Sequence, residues 1–308
     1  FGEATGSPFW LRAAKTLDFD PLTEVHTFAD LRRFPNLVDE LRDIPVEDLI
    51  PRGYGSPPPV PRVFESGGTT GVPKRTAQLP DWVEQVTRWQ VDDFALGGFV
   101  AGQGLLCLMP TGPHGVGYFD EVIAERLGSI FYPIDLDPRW VKKLTSQRVS
   151  NLHTTPPLLE AIARDDTLVA LVNAKVRWIL LSGAHIDLDT FDLFREIFDA
   201  TITTVFGSTM ILSQATTRTA GDGSFTFDPR SPNVVFWDID PGTGDQVSYG
   251  ERGQVVMNHI SKGMFIPNNL ERDTAIRVPG RGGQVGDSLT DIAPVATFAG
   301  EAVIEGVY

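Results

Sequence analysis

One cysteine in 308 residues leaves no intrachain disulfide and no Cys-rich zinc site to consider. That residue, Cys107, sits in the apolar run Gly104-Leu105-Leu106-Cys107-Leu108-Met109 and reads as a small buried hydrophobe, as expected of a protein in a reducing cytoplasm. Positive charge is also scarce. Lys and Arg number 26 against 40 Asp and Glu, for a net charge of -14, and no Lys/Arg-rich block supplies a footprint for a phosphate backbone. Nucleic acid and anionic membrane are therefore not expected as partners. No apolar run approaches the roughly 18 residues that cross a bilayer. There is no Gly-x-Ser-x-Gly nucleophile elbow to support an α/β hydrolase, and no internal repeat. The chain opens at Phe1 rather than Met, so residues are expected to precede it, and a targeting segment is not judged.

What is present is a globular composition. A hydrophobic fraction of 42% suffices for a sizeable core, in one large α/β unit or two ordinary domains. Residues 1–52 read as short helices punctuated by Pro8, Pro21, Pro35, Pro45 and Pro51, and Pro57, Pro58, Pro59 and Pro61 stiffen the stretch that follows. Pro80-Asp81 opens a helix whose Trp82, Val83, Val86 and Trp89 face a core. Apolar runs then alternate with amphipathic segments. Strands are expected over 105–109, 129–132, 149–153, 176–181 and 201–206, and helices near 118–127, 138–146, 157–164 and 190–199. Such alternation predicts parallel strands with crossover helices. Beyond Asn233 the texture turns to short β-rich pieces (234–239, 246–248 and 253–259) around the turn Pro241-Gly242-Thr243-Gly244. The expected fold class is thus α/β, with mostly parallel sheets and flanking helices over 1–232 and a smaller, barrel-like β-rich subdomain over 233–308.

The most informative stretch is Ser66-Gly67-Gly68-Thr69-Thr70-Gly71-Val72-Pro73-Lys74. Successive N–H groups in Gly-rich turns converge on one point, hydroxyls add donors and lysine adds charge, which together make a phosphate cradle. It is not a Walker A loop, because Val72 and Pro73 separate Gly71 from Lys74 and Arg75 follows. The competing reading is a plain Gly/Ser/Thr linker. Three further segments follow an expected strand, the first of them where open α/β sheets place ligands. They are Pro110 to Gly117 with His114 and Gly115, then Ser182-Gly183-Ala184-His185, and Phe206-Gly207-Ser208-Thr209-Met210. Each has a plainer reading: His114 as a loop histidine bonded to backbone, Phe206 as core, and Asp187 or Asp189 as the N-cap of the following helix rather than a metal ligand beside His185.

The order of these motifs resembles the adenylate-forming superfamily of acyl-CoA ligases, adenylating domains and luciferases. The opening region is similar to the phenylacetate-CoA ligase-like branch, and the overall pattern to adenylating proteins of phenazine (griseoluteate) antibiotic pathways. The resemblance implies ATP-dependent activation of a carboxylic acid, aromatic if the branch holds, as an acyl-adenylate with release of pyrophosphate. Mg²⁺ is implied as cofactor, and CoA, a carrier protein or nothing as acceptor. By the same resemblance Ser66, Gly67, Gly68, Thr69, Thr70, Gly71 and Lys74 hold the β/γ-phosphates and Thr209 the α-phosphate. Gly183, Ala184 and Phe206 meet the adenine, Gly207 permits the close turn, Ser208 is a further nucleotide-binding position, Asp287 in Gly286-Asp287 binds the ribose, and His114 and Gly115 line the acyl pocket. Thr69, Thr70, Lys74 and Thr209 are the implied catalytic groups. Three departures stand out. Met210 replaces the usual metal-binding glutamate, so the metal ligands are unassigned; Val285 replaces the threonine expected before Gly286-Asp287; and the small C-terminal lid domain is not recognisable after Asp287. The oligomeric state is not read from the sequence. The alternative function is a non-catalytic nucleotide-binding relative.

Overall fold

The structure, a computed structural model, describes residues 1–66, 73–134, 137, 139–219, 223–295 and the backbone of 297–298 and 301–302. Prolines govern its first segment. Helix α1 (Pro8–Ala13) places Pro8 in its first turn, where no N–H is needed, and the Ser7 hydroxyl accepts from Trp10 N. The helices expected next form only as 3₁₀ turns, at Phe28–Arg33, Val38–Arg42, Val46–Leu49 and Arg52–Tyr54, because Pro35, Pro45 and Pro51 recur too soon for a longer ladder. Their apolar side chains, Phe9, Trp10, Leu31, Phe34 and Leu41 among them, pack against Val235, Trp237, Val256 and Ile266 of the antiparallel sheet described below.

Strands β1 (Arg62–Glu65) and β2 (Arg75–Gln78) pair antiparallel, with Glu65 opposite Arg75. They are the stems of the glycine-rich stretch. Helix α2 (Pro80–Gly97) follows, and Trp82, expected as core, is 5% exposed and meets Trp89 edge-on with ring centroids 5.5 Å apart.

The β/α alternation of the sequence appears as a five-stranded parallel sheet in the order β4-β3-β5-β6-β7. Its strands are β3 (Gly104–Cys107), β4 (Phe131–Pro133), β5 (Val149–Thr154), β6 (Trp178–Leu181) and β7 (Thr201–Thr204). The connecting helices are α3 (Gly115–Arg126), α4 (Trp140–Ser146), α5 (Pro156–Ala163), α6 (Asp166–Lys175) and α7 (Leu188–Ile197). Of these, α6 was not foreseen; Asp165 caps it by accepting from Thr167 N and Leu168 N. Asp187 caps α7, as expected, accepting from Thr190 N.

Both faces of the parallel sheet are covered, so its strands read as continuous apolar runs. Leu105, Trp178 and Leu180 face α2 and α3, while Leu106, Leu152, Ile179 and Leu181 face the opposite layer. Six antiparallel strands build the second sheet, in the order β10-β11-β15-β14-β13-β12. They are β10 (Thr216–Thr219), β11 (Phe225–Asp228), β12 (Val234–Ile239), β13 (Arg252–Ile260), β14 (Phe265–Val278) and β15 (Ser288–Pro294), with the small pair β8 (Gly207–Ser208) and β9 (Ser213–Gln214) lying beside them in sequence. The sheet thus recruits two strands from before residue 233, and its longest strand, β14, lies where none was expected. Instead of a strand, 246–248 contributes a single bridge, Gln246 to Ile239.

The antiparallel sheet buries an unusual carboxyl group. Asp238 on β12 is fully buried, and neither carboxylate oxygen has a partner among the described residues. Burial, and secondarily the charge of Asp287, push its pKa from an ordinary 3.8 to about 8, against the weaker pull of Arg277 and Arg252. Between those values the folded chain holds a proton that the unfolded chain has released, so stability falls as pH rises from about 4 to about 8. Asp238→Asn is expected to flatten that fall and to raise the melting temperature at pH 8 by several degrees, a gain on the order of a few kcal/mol. Thermal melts of both proteins across this pH range check it; parallel curves would show that Asp238 is solvated.

Candidate functional site

A cavity of about 510 Å³ lies where the carboxyl ends of the parallel strands meet β14 and β15. Its position follows from topology: β4 and β5 leave on opposite sides of β3, and the crevice beyond such a switch point is where open α/β sheets bind ligands.

Three of the parallel strands, β3, β6 and β7, deliver a turn to it. After β3 the chain passes through Met109 to His114, which occupies the N-cap position of α3 and whose Nδ1 lies 3.0 Å from the Glu65 carbonyl oxygen. His114 is thus bonded to backbone and also lines the cavity beside Gly115. After β6 come Ser182, Gly183 and Ala184. Gly183 has φ +80°, a left-handed conformation that a side chain would strain. After β7 come Phe206, Gly207, Ser208 and Thr209. A Cβ on Gly207 would stand 2.6 Å from the Ser213 carbonyl oxygen, so the β8–β9 approach requires glycine there.

Of the phosphate-loop residues, Ser66 and Lys74 line the cavity. Gly67, Gly68, Thr69, Thr70 and Gly71 lie outside the described residues. The stems hold one another in register: Ser66 N donates to Lys74 O at 2.9 Å and Lys74 N to Ser66 Oγ at 3.2 Å. Lys74 Nζ is 3.1 Å from Asp39, a carboxylate largely open to solvent.

Two acids not singled out from the sequence face the same space. Glu271 and Asp273 are alternate residues of β14, and both line the cavity with Asn269. Asn269 Nδ2 donates to Glu271 Oε1 at 2.6 Å. Burial pushes the Glu271 carboxyl above its usual range, opposed by a hydrogen bond from Ser208 and by the charge of Lys74. The signal for them was the i, i+2 spacing of acids, which stayed hidden because β14 was not recognised as a strand. Met210, at the position of the missing glutamate, is 5% exposed and joins the apolar cluster containing Val235 and Trp237.

Asp287, expected at the ribose, is not among the residues that line the cavity. Its carboxylate is buried against Arg277, with Arg277 Nε to Asp287 Oδ2 at 2.9 Å, and also accepts from Gln246 Nε2 and Tyr249 Oη. Both Asp287 oxygens are thus engaged within the sheet, while Asp120, Asp273 and Asp291 line the cavity. Another grouping, Cys107, Asp120 and His153, offers ligand atoms within 4.8 Å of one another, but its Asp120–His153 contact of 2.6 Å is that of a hydrogen bond. Asp287→Ala should leave the Arg277 charge buried and unpaired, costing about 3 kcal/mol of stability, with any preference for ATP over 2′-deoxy-ATP unchanged. Denaturant unfolding and nucleotide titration check this together; lost discrimination without lost stability would return Asp287 to the site.

No protein-family model and no curated protein matches the sequence. Solved structures do match in fold. A 2-hydroxyisobutyryl-CoA ligase, solved with 2-HIB-AMP and CoA in its thioesterification state, aligns with a TM-score of 0.66 at 17% identity over 94% of this chain and 64% of its own. ATP-bound MatB from Rhodopseudomonas palustris aligns at 0.54 and 15% identity, over 76% of this chain and 48% of its own. The amide bond synthetase McbA from Marinactinospora thermotolerans aligns at 0.53 and 16%, over 74% and 48%. This chain therefore spans just under two thirds of the ligase and about half of the other two. A helix-flanked parallel sheet facing an antiparallel one is the architecture it shares with these adenylate-forming enzymes.

Proposed function

We propose that the cavity binds ATP and a carboxylic acid and joins them as an acyl-adenylate, releasing pyrophosphate. One observation carries the reading: motif residues separated by up to 143 positions, from Ser66 to Thr209, line a single cavity at the carboxyl ends of parallel strands. The ligase of similar fold, which carries an acyl-AMP in its own structure, supports it.

The lining fits a nucleotide. Gly183 and Ala184 keep backbone open to a flat ring, and Phe206 offers an aromatic face beside them. Asp273, which lines the cavity where Asp287 does not, supplies acceptor oxygens for the ribose diol. Lys74, Ser66 and the loop residues Thr69 and Thr70 are assigned to the β/γ-phosphates, and Thr209 to the α-phosphate attacked by the acid. His114 and Gly115 border the acyl end. These groups fix the attacking carboxylate in line and stabilise charge developing on the phosphate. Mg²⁺, when bound, would neutralise phosphate charge, and Glu271 is the hard-oxygen donor that would hold it, where Met210 is a poor one. The phenylacetate-CoA ligase-like opening favours an aromatic acid and, with the motif order, a place in phenazine antibiotic synthesis. CoA or a carrier protein would be the acceptor. Met210 alone favours a second reading, a nucleotide-binding protein without catalysis.

Pyrophosphate exchange over a panel of carboxylic acids separates the two readings: acid-dependent exchange is expected, and ATP binding without exchange for any acid would favour the second. Lys74→Ala should weaken ATP binding about ten- to a hundredfold, through loss of a charge-assisted contact. Glu271→Gln should raise the Mn²⁺ concentration needed for binding to the ATP complex about tenfold or more, read by paramagnetic resonance as well as by exchange. Unaltered Mn²⁺ binding would place the metal on phosphates and water alone.

A further inference from the structure

Alternation along the parallel strands puts Leu152 and Leu181 on one face of the sheet, and therefore His153 and Ser182 on the other, the face covered by α3. There they meet Asp120. His153 Nδ1 lies 2.6 Å from Asp120 Oδ2, and His153 Nε2 lies 2.7 Å from Ser182 Oγ. The His153 side chain is 0% exposed and that of Asp120 3%, whereas Ser182 is partly exposed and lines the cavity. Two polar groups are thus buried together to hold one hydroxyl at the cavity wall.

The geometry is that of an activated nucleophile: a hydroxyl within hydrogen-bond reach of a base, itself oriented by a third group. With Nδ1–H donating to Asp120, Nε2 is left to accept the serine proton. Two further features line the same cavity. The N–H groups of Gly183 and Ala184, next in the chain, have no protein acceptor among the described residues, leaving two backbone donors beside the hydroxyl for a developing oxyanion. Gln90, 4% exposed and also lining the cavity, has an unpartnered Oε1.

We propose that Ser182 is a nucleophile that takes an acyl group from a leaving group departing as a stable anion, giving the cavity an esterase-type activity. Ser182 Oγ bonds to the acyl carbon, the bond to the leaving group breaks, and the serine proton passes to His153 Nε2. Because such a leaving group needs no proton, a base that reaches only Ser182 suffices for this step. Water then adds to the ester carbon, His153 returns its proton to the departing Ser182 oxygen, and the product leaves as a carboxylate with two protons released to solvent. The activity stands apart from adenylation, and its test contains no nucleotide.

Diethyl p-nitrophenyl phosphate is the probe, its p-nitrophenolate counted against chain concentration and the adduct located by peptide mass spectrometry. One equivalent is expected, on Ser182, with none in Ser182→Ala. Asp120→Asn, folded by thermal melt, should label at least about a hundredfold more slowly, since its amide disfavours the required tautomer. Iodoacetamide on Ser182→Cys tests access, and alkylation at residue 182 is expected. No adduct, an adduct elsewhere, undiminished labelling in Asp120→Asn, or an unreactive residue 182 would each overturn the proposal.

Discussion

The five parallel strands are covered on both faces, by α2 and α3 with the antiparallel sheet beyond them on one side and by α4 to α7 on the other. That burial confines chemistry to the strand ends. Residues along β3 and β6 are wholly buried and apolar apart from Gly104, so the polar groups that can meet a ligand cluster in the turns that follow. The antiparallel sheet closes the remaining side with β14. Lys74 and Glu271 belong to different layers, and it is this closure that sets their charges facing one cavity.

The same constraint explains what could be read from sequence. Buried parallel strands are continuous apolar runs bounded by glycine and proline, so their existence and following loops were legible, and the loops Gly183-Ala184 and Phe206 to Thr209 line the cavity. β14 is a strand of mixed polarity whose pairing is interrupted by register shifts, so Phe265 to Val278 shows no clean period of two. Helix α6 escaped notice because apolar residues occur on several sides of it and only Val172 is fully buried. The dipeptide Gly286-Asp287 carries no information about which way its carboxylate points. Arg277, ten residues earlier on β14, decides that. The Asp120–His153–Ser182 network joins residues up to 62 positions apart through strand order alone, which no local pattern announces.

Substitution at Met210 and the acids on β14 belong to one argument. A methionine at the end of the turn lets apolar packing from the opening segment reach the cavity floor, where it joins Val235 and Trp237. The carboxylates then come from the opposite wall, where Asn269 and Ser208 hold Glu271 in place. Asp273 stands two residues beyond Glu271 along β14.

A crystal structure with bound AMP tests the account most directly. The adenine is expected against Phe206 beside Gly183 and Ala184, the ribose hydroxyls on Asp273 and the phosphate at Thr209. A nucleotide found at Asp287, or no nucleotide in the cavity at saturating concentration, would contradict it.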